Sequence, residues 1–130
     1  MIGLDTNVIV RYVVQDDPDQ AALATKTMES LTDQEPGFVS VVTVAEISWV
    51  LRRAYRLELN AVLDVIEGLI NVRELRVEGV DAIRRAVDRA RAGGEFADCL
   101  IAELGHAAGC ATTLTFDRGA AGQSGMSLIG

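Results

Sequence analysis

A chain of 130 residues has room for a single domain around one core. Its residues are 49% hydrophobic with a mean hydropathy of +0.23, which excludes a disordered chain. Twelve basic against nineteen acidic side chains give a net charge of −7, which excludes a generally basic nucleic-acid or membrane-surface module. In chain order, Ile2-Gly3-Leu4 reads as a short apolar strand. A helix over 6–14 follows and breaks at Asp16-Asp17-Pro18, and Pro18 opens a second helix running to Leu31. Pro36-Gly37 marks a turn and Phe38-Val39-Ser40 a short strand. Ile47, Val50, Leu51 and Ala54 recur at i, i+3, i+4 and i+7, which predicts an amphipathic helix over 42–55. Asn60 is placed to cap a helix ending at Ile70, with Val62, Leu63, Ile66, Leu69 and Ile70 on its apolar side. A weak strand over 74–77 precedes a helix over 80–91 that ends before Gly93-Gly94. Ala97, Leu100, Ile101, Leu104 and Ala108 form another apolar stripe, closed at Gly109. Strands over 112–116 and 126–129 end the chain. Strands alternating with helices imply an α/β fold, a parallel sheet with helices on both faces. Such sheets bind ligands beyond the carboxyl ends of their strands, so the residues there matter most.

Two carboxylates stand at such ends: Asp5 after Ile2-Gly3-Leu4, and Asp117 after Leu114-Thr115-Phe116. Either one also suits a turn or a helix N-cap. Asp98 falls in the first turn of its helix with Glu95 three residues before it, so the two share a face. Favourable charge at the positive end of the helix dipole accounts for that pair equally well. Glu46 lies inside the otherwise uncharged run from Val41 to Leu51 and borders its apolar stripe. A half-buried, unpaired glutamate there is costly, so it is expected either to pair with Arg53 at i+7 or to serve a cation. Close carboxylates repel one another unless cations neutralise them, and Mg²⁺ takes oxygen ligands at ~2.0–2.1 Å while keeping several waters. With one histidine, His106, and no Cys-x-x-Cys pair, an all-oxygen Mg²⁺ or Mn²⁺ site is the metal chemistry the sequence supports. Thr6, Asn7 and Thr115 accompany the acids as polar residues that orient carboxylates or cap helices.

Eleven of the twelve basic residues are arginine. Arg52, Arg53 and Arg56 gather at one helix end, and Arg84, Arg85, Arg89 and Arg91 line another helix as a solvated face or a phosphate-binding one. Arg118, next to Asp117, is the candidate for a substrate phosphate. Trp49 and Tyr55 are expected in packing or a subunit interface, and Cys99 and Cys110 as buried thiols of a reducing compartment. No signal-peptide pattern opens the chain, and no apolar run approaches the roughly 20 residues of a membrane span. A cytoplasmic protein without membrane attachment is expected.

Leu4-Asp5-Thr6-Asn7, the Glu46 within Val44-Ala45-Glu46-Ile47, Phe96-Ala97-Asp98 leading into Leu100-Ile101-Ala102, and Thr115-Phe116-Asp117 together resemble the PIN domain. Within that family they look most like the VapC-type toxins of bacterial toxin–antitoxin pairs. The resemblance covers essentially the whole chain as one domain, 1–130, and implies a three-layer α/β/α sandwich around a short parallel sheet. It implies a Mg²⁺- or Mn²⁺-dependent endoribonuclease that cuts RNA by metal-activated water, leaving a 5′-phosphate and a 3′-hydroxyl. Carried over by position, Asp5, Glu46, Asp98 and Asp117 are the acidic, metal-holding residues, with Glu95 as a further acid and Thr6, Asn7 and Thr115 as support. A small antitoxin protein and a homodimer are the implied partners. The rival expectation is a catalytically inactive PIN-like module that binds a partner protein. A phosphoacceptor receiver domain is disfavoured because Lys26, the sole lysine, stands in the wrong place.

Overall fold

Short apolar segments find parallel partners across intervening helices in the computed structural model, which describes residues 1–130. The chain divides into two compact units, Met1–Glu78 and Gly79–Gly130.

The first unit contains β1 (Ile2–Gly3), α1 (Thr6–Val14), α2 (Pro18–Ser30), β2 (Gly37–Val39), α3 (Val41–Arg53), α4 (Leu59–Ile70) and β3 (Leu75–Val77). Its sheet runs β1-β2-β3 with all neighbours parallel, Ile2 opposite Gly37 and Gly37 opposite Leu75. Gly37 therefore belongs to the middle strand and not to a turn. A β-carbon there would lie 2.8 Å from Leu4 Cδ1, 2.9 Å from Leu31 Cδ1 and 3.0 Å from Leu75 Cδ2, so the leucines close over bare backbone. Ser40 is not a strand residue. Its hydroxyl accepts from the Thr43 amide at 3.1 Å and caps α3. Asp17 caps α2 in the same way through the Gln20 amide at 3.1 Å, ahead of Pro18. The cap position of α4 falls to Glu58, which makes no side-chain cap, so Asn60 lies inside the first turn. Ile9, Val39, Ile47, Leu51, Leu63 and Ile66 are fully buried and form the centre of this unit's core.

The second unit contains α5 (Val80–Arg91), α6 (Phe96–Ala107), β4 (Leu114–Thr115), α7 (Arg118–Gln123) and β5 (Ser127–Leu128). The alternation of Ala82, Ile83, Ala86, Val87 and Ala90 gives α5 a narrow buried stripe, and α6 buries Phe96, Cys99 and Leu100. The strands expected over 112–116 and 126–129 shrink to two residues each, paired in parallel with Leu114 opposite Ser127. Between them stands α7, a helix the periodicity did not announce. The strands thus pair as two separate parallel sets, one in each unit. Cys99 is buried as expected, but Cys110 is exposed. Gly109, at φ 96°, turns the chain after α6 and carries residue 110 away from the helix's apolar stripe. No helix is long and apolar enough to cross a membrane.

Candidate functional site

In the first unit, Leu4 extends the pairing of β1 by donating to the Phe38 carbonyl at 2.9 Å, and Asp5 follows where the strand ends. Asp5 occupies the N-cap position of α1, and its carbonyl accepts from the Val8 amide at 3.1 Å. Its carboxylate makes no capping bond and is exposed. The capping role that would explain an aspartate here is therefore not taken up. Thr6, buried at the start of the same helix, donates its hydroxyl to Glu46 Oε1 at 2.8 Å. That bond joins residues 40 apart and fixes one carboxylate oxygen of α3 against α1.

Two expectations about Glu46 are corrected. It is exposed rather than half-buried, because the buried stripe of α3 runs through Val44, Ile47, Ser48 and Leu51 and the ~100° step per residue carries position 46 outward. Arg53 does not pair with it. The guanidinium lies 5.3 Å from the centroid of the Trp49 ring, one helical turn back. Trp49 in turn is not packed but largely exposed. Asn7 is exposed and lines a groove of about 290 Å³ with Arg11, Gln20 and Leu23, so no contact ties it to the acids of this unit. Tyr55 has a structural role: its hydroxyl accepts from Arg11 at 2.7 Å and donates to Asp16 at 2.9 Å.

In the second unit, Glu95 holds the N-cap position of α6 without using its side chain as a cap. Asp98 lies in the first turn, half-buried. Its pKa is raised above the usual carboxylate range, first by burial, then by the Glu95 charge and a hydrogen bond to that carboxyl, and last by the Asp117 charge. Three acids are thus within electrostatic reach of one another. Asp117 does take the capping role. Its Oδ1 accepts from the Gly119 amide at 2.8 Å and the Ala120 amide at 3.4 Å, which opens α7. Thr115 helps by another route than direct contact with the carboxylate: its hydroxyl accepts from the Asp117 amide at 3.0 Å and fixes the backbone. Arg118 is the exposed first residue of α7.

Within neither unit do three Asp, Glu, His or Cys side chains gather closely enough to hold a metal ion by themselves. The donor chemistry nevertheless fits a hard divalent cation. Every candidate ligand is a carboxylate oxygen, and Asp98 is held above the usual carboxylate range first by burial and then by the neighbouring acids.

The Arg-rich face of α5 is partly explained by Glu103, which the sequence reading passed over. Glu103 is buried on α6 and accepts from Arg85 Nε at 3.0 Å, with Arg89 Nε at 3.7 Å from its other oxygen. The signal was present as an acid between Ala102 and Leu104 in an apolar helix. The capping of α7 by Asp117 was also signalled, by an aspartate ahead of small residues.

A family model described as the PIN domain matches residues 2–122, across both units. No curated protein matches the chain.

Proposed function

We propose that this chain, which belongs to the PIN-domain family, is a divalent-metal-dependent endoribonuclease and the toxin half of a toxin–antitoxin pair. The α/β class with parallel strands agrees with that family's α/β/α fold, a nuclease-type fold. The observation that carries the reading is Asp98, held with Glu95 and Asp117 in surroundings that disfavour its charge. A bound cation would stabilise such a carboxylate as an anion.

The acids we propose as ligands of Mg²⁺ or Mn²⁺ are Asp5 and Glu46 in the first unit, and Asp98, Asp117 and Glu95 in the second. Such a cation, when bound, polarises the phosphodiester and acidifies water. The chain's own residues then do the positioning. Thr6 holds one oxygen of Glu46, so the carboxylate does not rotate freely. Asp117 commits Oδ1 to the α7 amides, which fixes the orientation of its other oxygen. Arg118 is proposed to take a phosphate of the substrate. Hydrolysis adds water across the bond and leaves a 5′-phosphate and a 3′-hydroxyl. The proposed partners are RNA, a small antitoxin whose tail covers the acids, and a second copy of the chain.

The test is cleavage of total RNA by purified protein in Mg²⁺ or Mn²⁺ against EDTA, beside Asp98→Asn. Cutting that needs the metal and disappears in the variant is expected. Absence of both cutting and cation binding would overturn the nuclease reading in favour of an inactive protein-binding module. Co-expression with the neighbouring reading frame tests the toxin assignment, which fails if no small partner co-purifies.

A further inference from the structure

We propose that Trp49 and Arg53, on the exposed face of α3, form a stacking subsite for a base of single-stranded RNA beside Glu46. The proposal rests on the nuclease reading above and names how that site takes its substrate. Trp49 is 59% exposed, and Val42 on the same face is 64% exposed. Glu46 stands three residues before Trp49 and Arg53 four residues after it, so the three share one side of the helix. The Arg53 guanidinium lies over the indole at 5.3 Å from the centroid. This pairs a π-face with a cation that is not neutralised by a carboxylate, since Arg53 and Arg56 take part in no ion pair. Arg52 donates only to the Leu57 carbonyl, at 3.2 Å, and keeps its charge.

The charge decides the occupant. Three guanidinia against the single carboxylate of Glu46 leave this end of α3 net positive, complementary to a polyanion. A polyanion with exposed bases meets both needs at once, a ring for the indole and phosphates for the guanidinia. Single-stranded RNA answers this description, and stacking accepts any base.

Trp49 is the only tryptophan, so intrinsic emission reports on this position alone. Asp98→Asn protein in Mg²⁺ buffer is titrated with a labelled single-stranded RNA oligonucleotide, following both tryptophan emission and label anisotropy. Saturable quenching is expected, parallel to the anisotropy rise. Adding Trp49→Ala should weaken binding about tenfold, and Trp49→Phe by less, as an aromatic platform predicts. Arg53→Ala should flatten the salt dependence of binding by about one unit of slope. Binding with emission unchanged and Trp49→Ala equal to its parent overturns the subsite, as does no binding at all. A concentration-dependent blue shift without RNA, insensitive to RNA, overturns it in favour of an interface between copies. Cleavage of total RNA by the unmutated chain separates the two readings. Cutting with a silent Trp49 removes the subsite alone, and quenching without cutting removes the nuclease reading alone.

Discussion

Two replacements of Asp117 separate its structural role from its proposed ligand role. Its Oδ1 accepts from the Gly119 and Ala120 amides at 2.8 and 3.4 Å, so it is the N-cap of a helix only six residues long. Asparagine keeps an acceptor oxygen at that place and caps about as well as aspartate. Alanine removes it and leaves two amides of a short helix without their partner, at a cost of about 1 kcal/mol. For a chain of this size that is a fall in Tm of about 3 °C, or roughly 0.5 M in the urea midpoint. Asp117→Ala should show that loss, with faster hydrogen exchange at Gly119 and Ala120, while Asp117→Asn should melt close to the parent. Both should lose RNA cleavage, because both remove the charge. An alanine variant as stable as the asparagine one, with exchange unchanged, would refute the capping argument. Cleavage surviving in Asp117→Asn would remove Asp117 from the proposed site.

Asp98 retains its proton above the usual carboxylate range, so in the metal-free protein the folded state binds more protons than the unfolded one from about pH 3.8 up to the raised value. Stability is therefore greater below that window and falls as pH rises through it. Asp98→Asn should abolish that trend, melt at or slightly above the parent at pH 7, and lose the stabilisation that Mg²⁺ gives the parent; melting curves at pH 4 and 7, with and without Mg²⁺, check all three. Thr6→Val removes the hydroxyl that holds Glu46 while keeping the buried volume, so cleavage should drop about tenfold with less than about 1 kcal/mol lost from stability. Thr6→Ser should restore cleavage, and a Thr6→Val rate equal to the parent would show that Glu46 needs no positioning. Gly37→Ala drives a methyl to within 3.0 Å of three leucines and should cost about 1–3 kcal/mol in urea denaturation; an unchanged midpoint would mean that those side chains shift freely.

What was legible in the sequence depended on how many residues shared one physical reason. The bounds of α1 and α5 were readable because each has several turns of apolar periodicity and a definite stop. In a strand of two residues, as in β4 and β5, there is no period to read, so their lengths were overdrawn. Helix α7 has no apolar stripe and two glycines, and only the capping aspartate marked it. Asp5 and Asp117 stand in the same context, a strand before and a helix after, yet only Asp117 caps. Which one does so depends on the side-chain rotamer, and a sequence does not carry that. Glu46 was singled out as a half-buried acid in an uncharged run, and the structure overturns the burial. It avoids burial by one helical step and finds its partner in Thr6, 40 residues away, rather than on its own helix.

The net charge of −7 is the strongest objection to an RNA-cleaving reading, since phosphate affinity comes from Lys and Arg. The total matters less than which cations are already engaged. Arg11 is paired with Asp16, Arg73 with Asp33, and Arg85 and Arg89 with Glu103. Arg76 donates to backbone carbonyls, and Arg84 and Arg91 also have partners. Apart from Lys26, Arg76 and the partnered Arg84 and Arg91, the cations outside any ion pair are Arg52 and Arg53 in the last turn of α3, Arg56 three residues beyond it, and Arg118 at the start of α7. Arg52 and Arg53 stand on the helix that carries Glu46, and Arg118 follows Asp117. An acidic chain that binds RNA for cleavage, and not for storage, needs positive charge only beside the acids that cut. Ion pairs neutralise Arg11, Arg73, Arg85 and Arg89, and the sign of the whole molecule disfavours loose binding of RNA to its other surfaces.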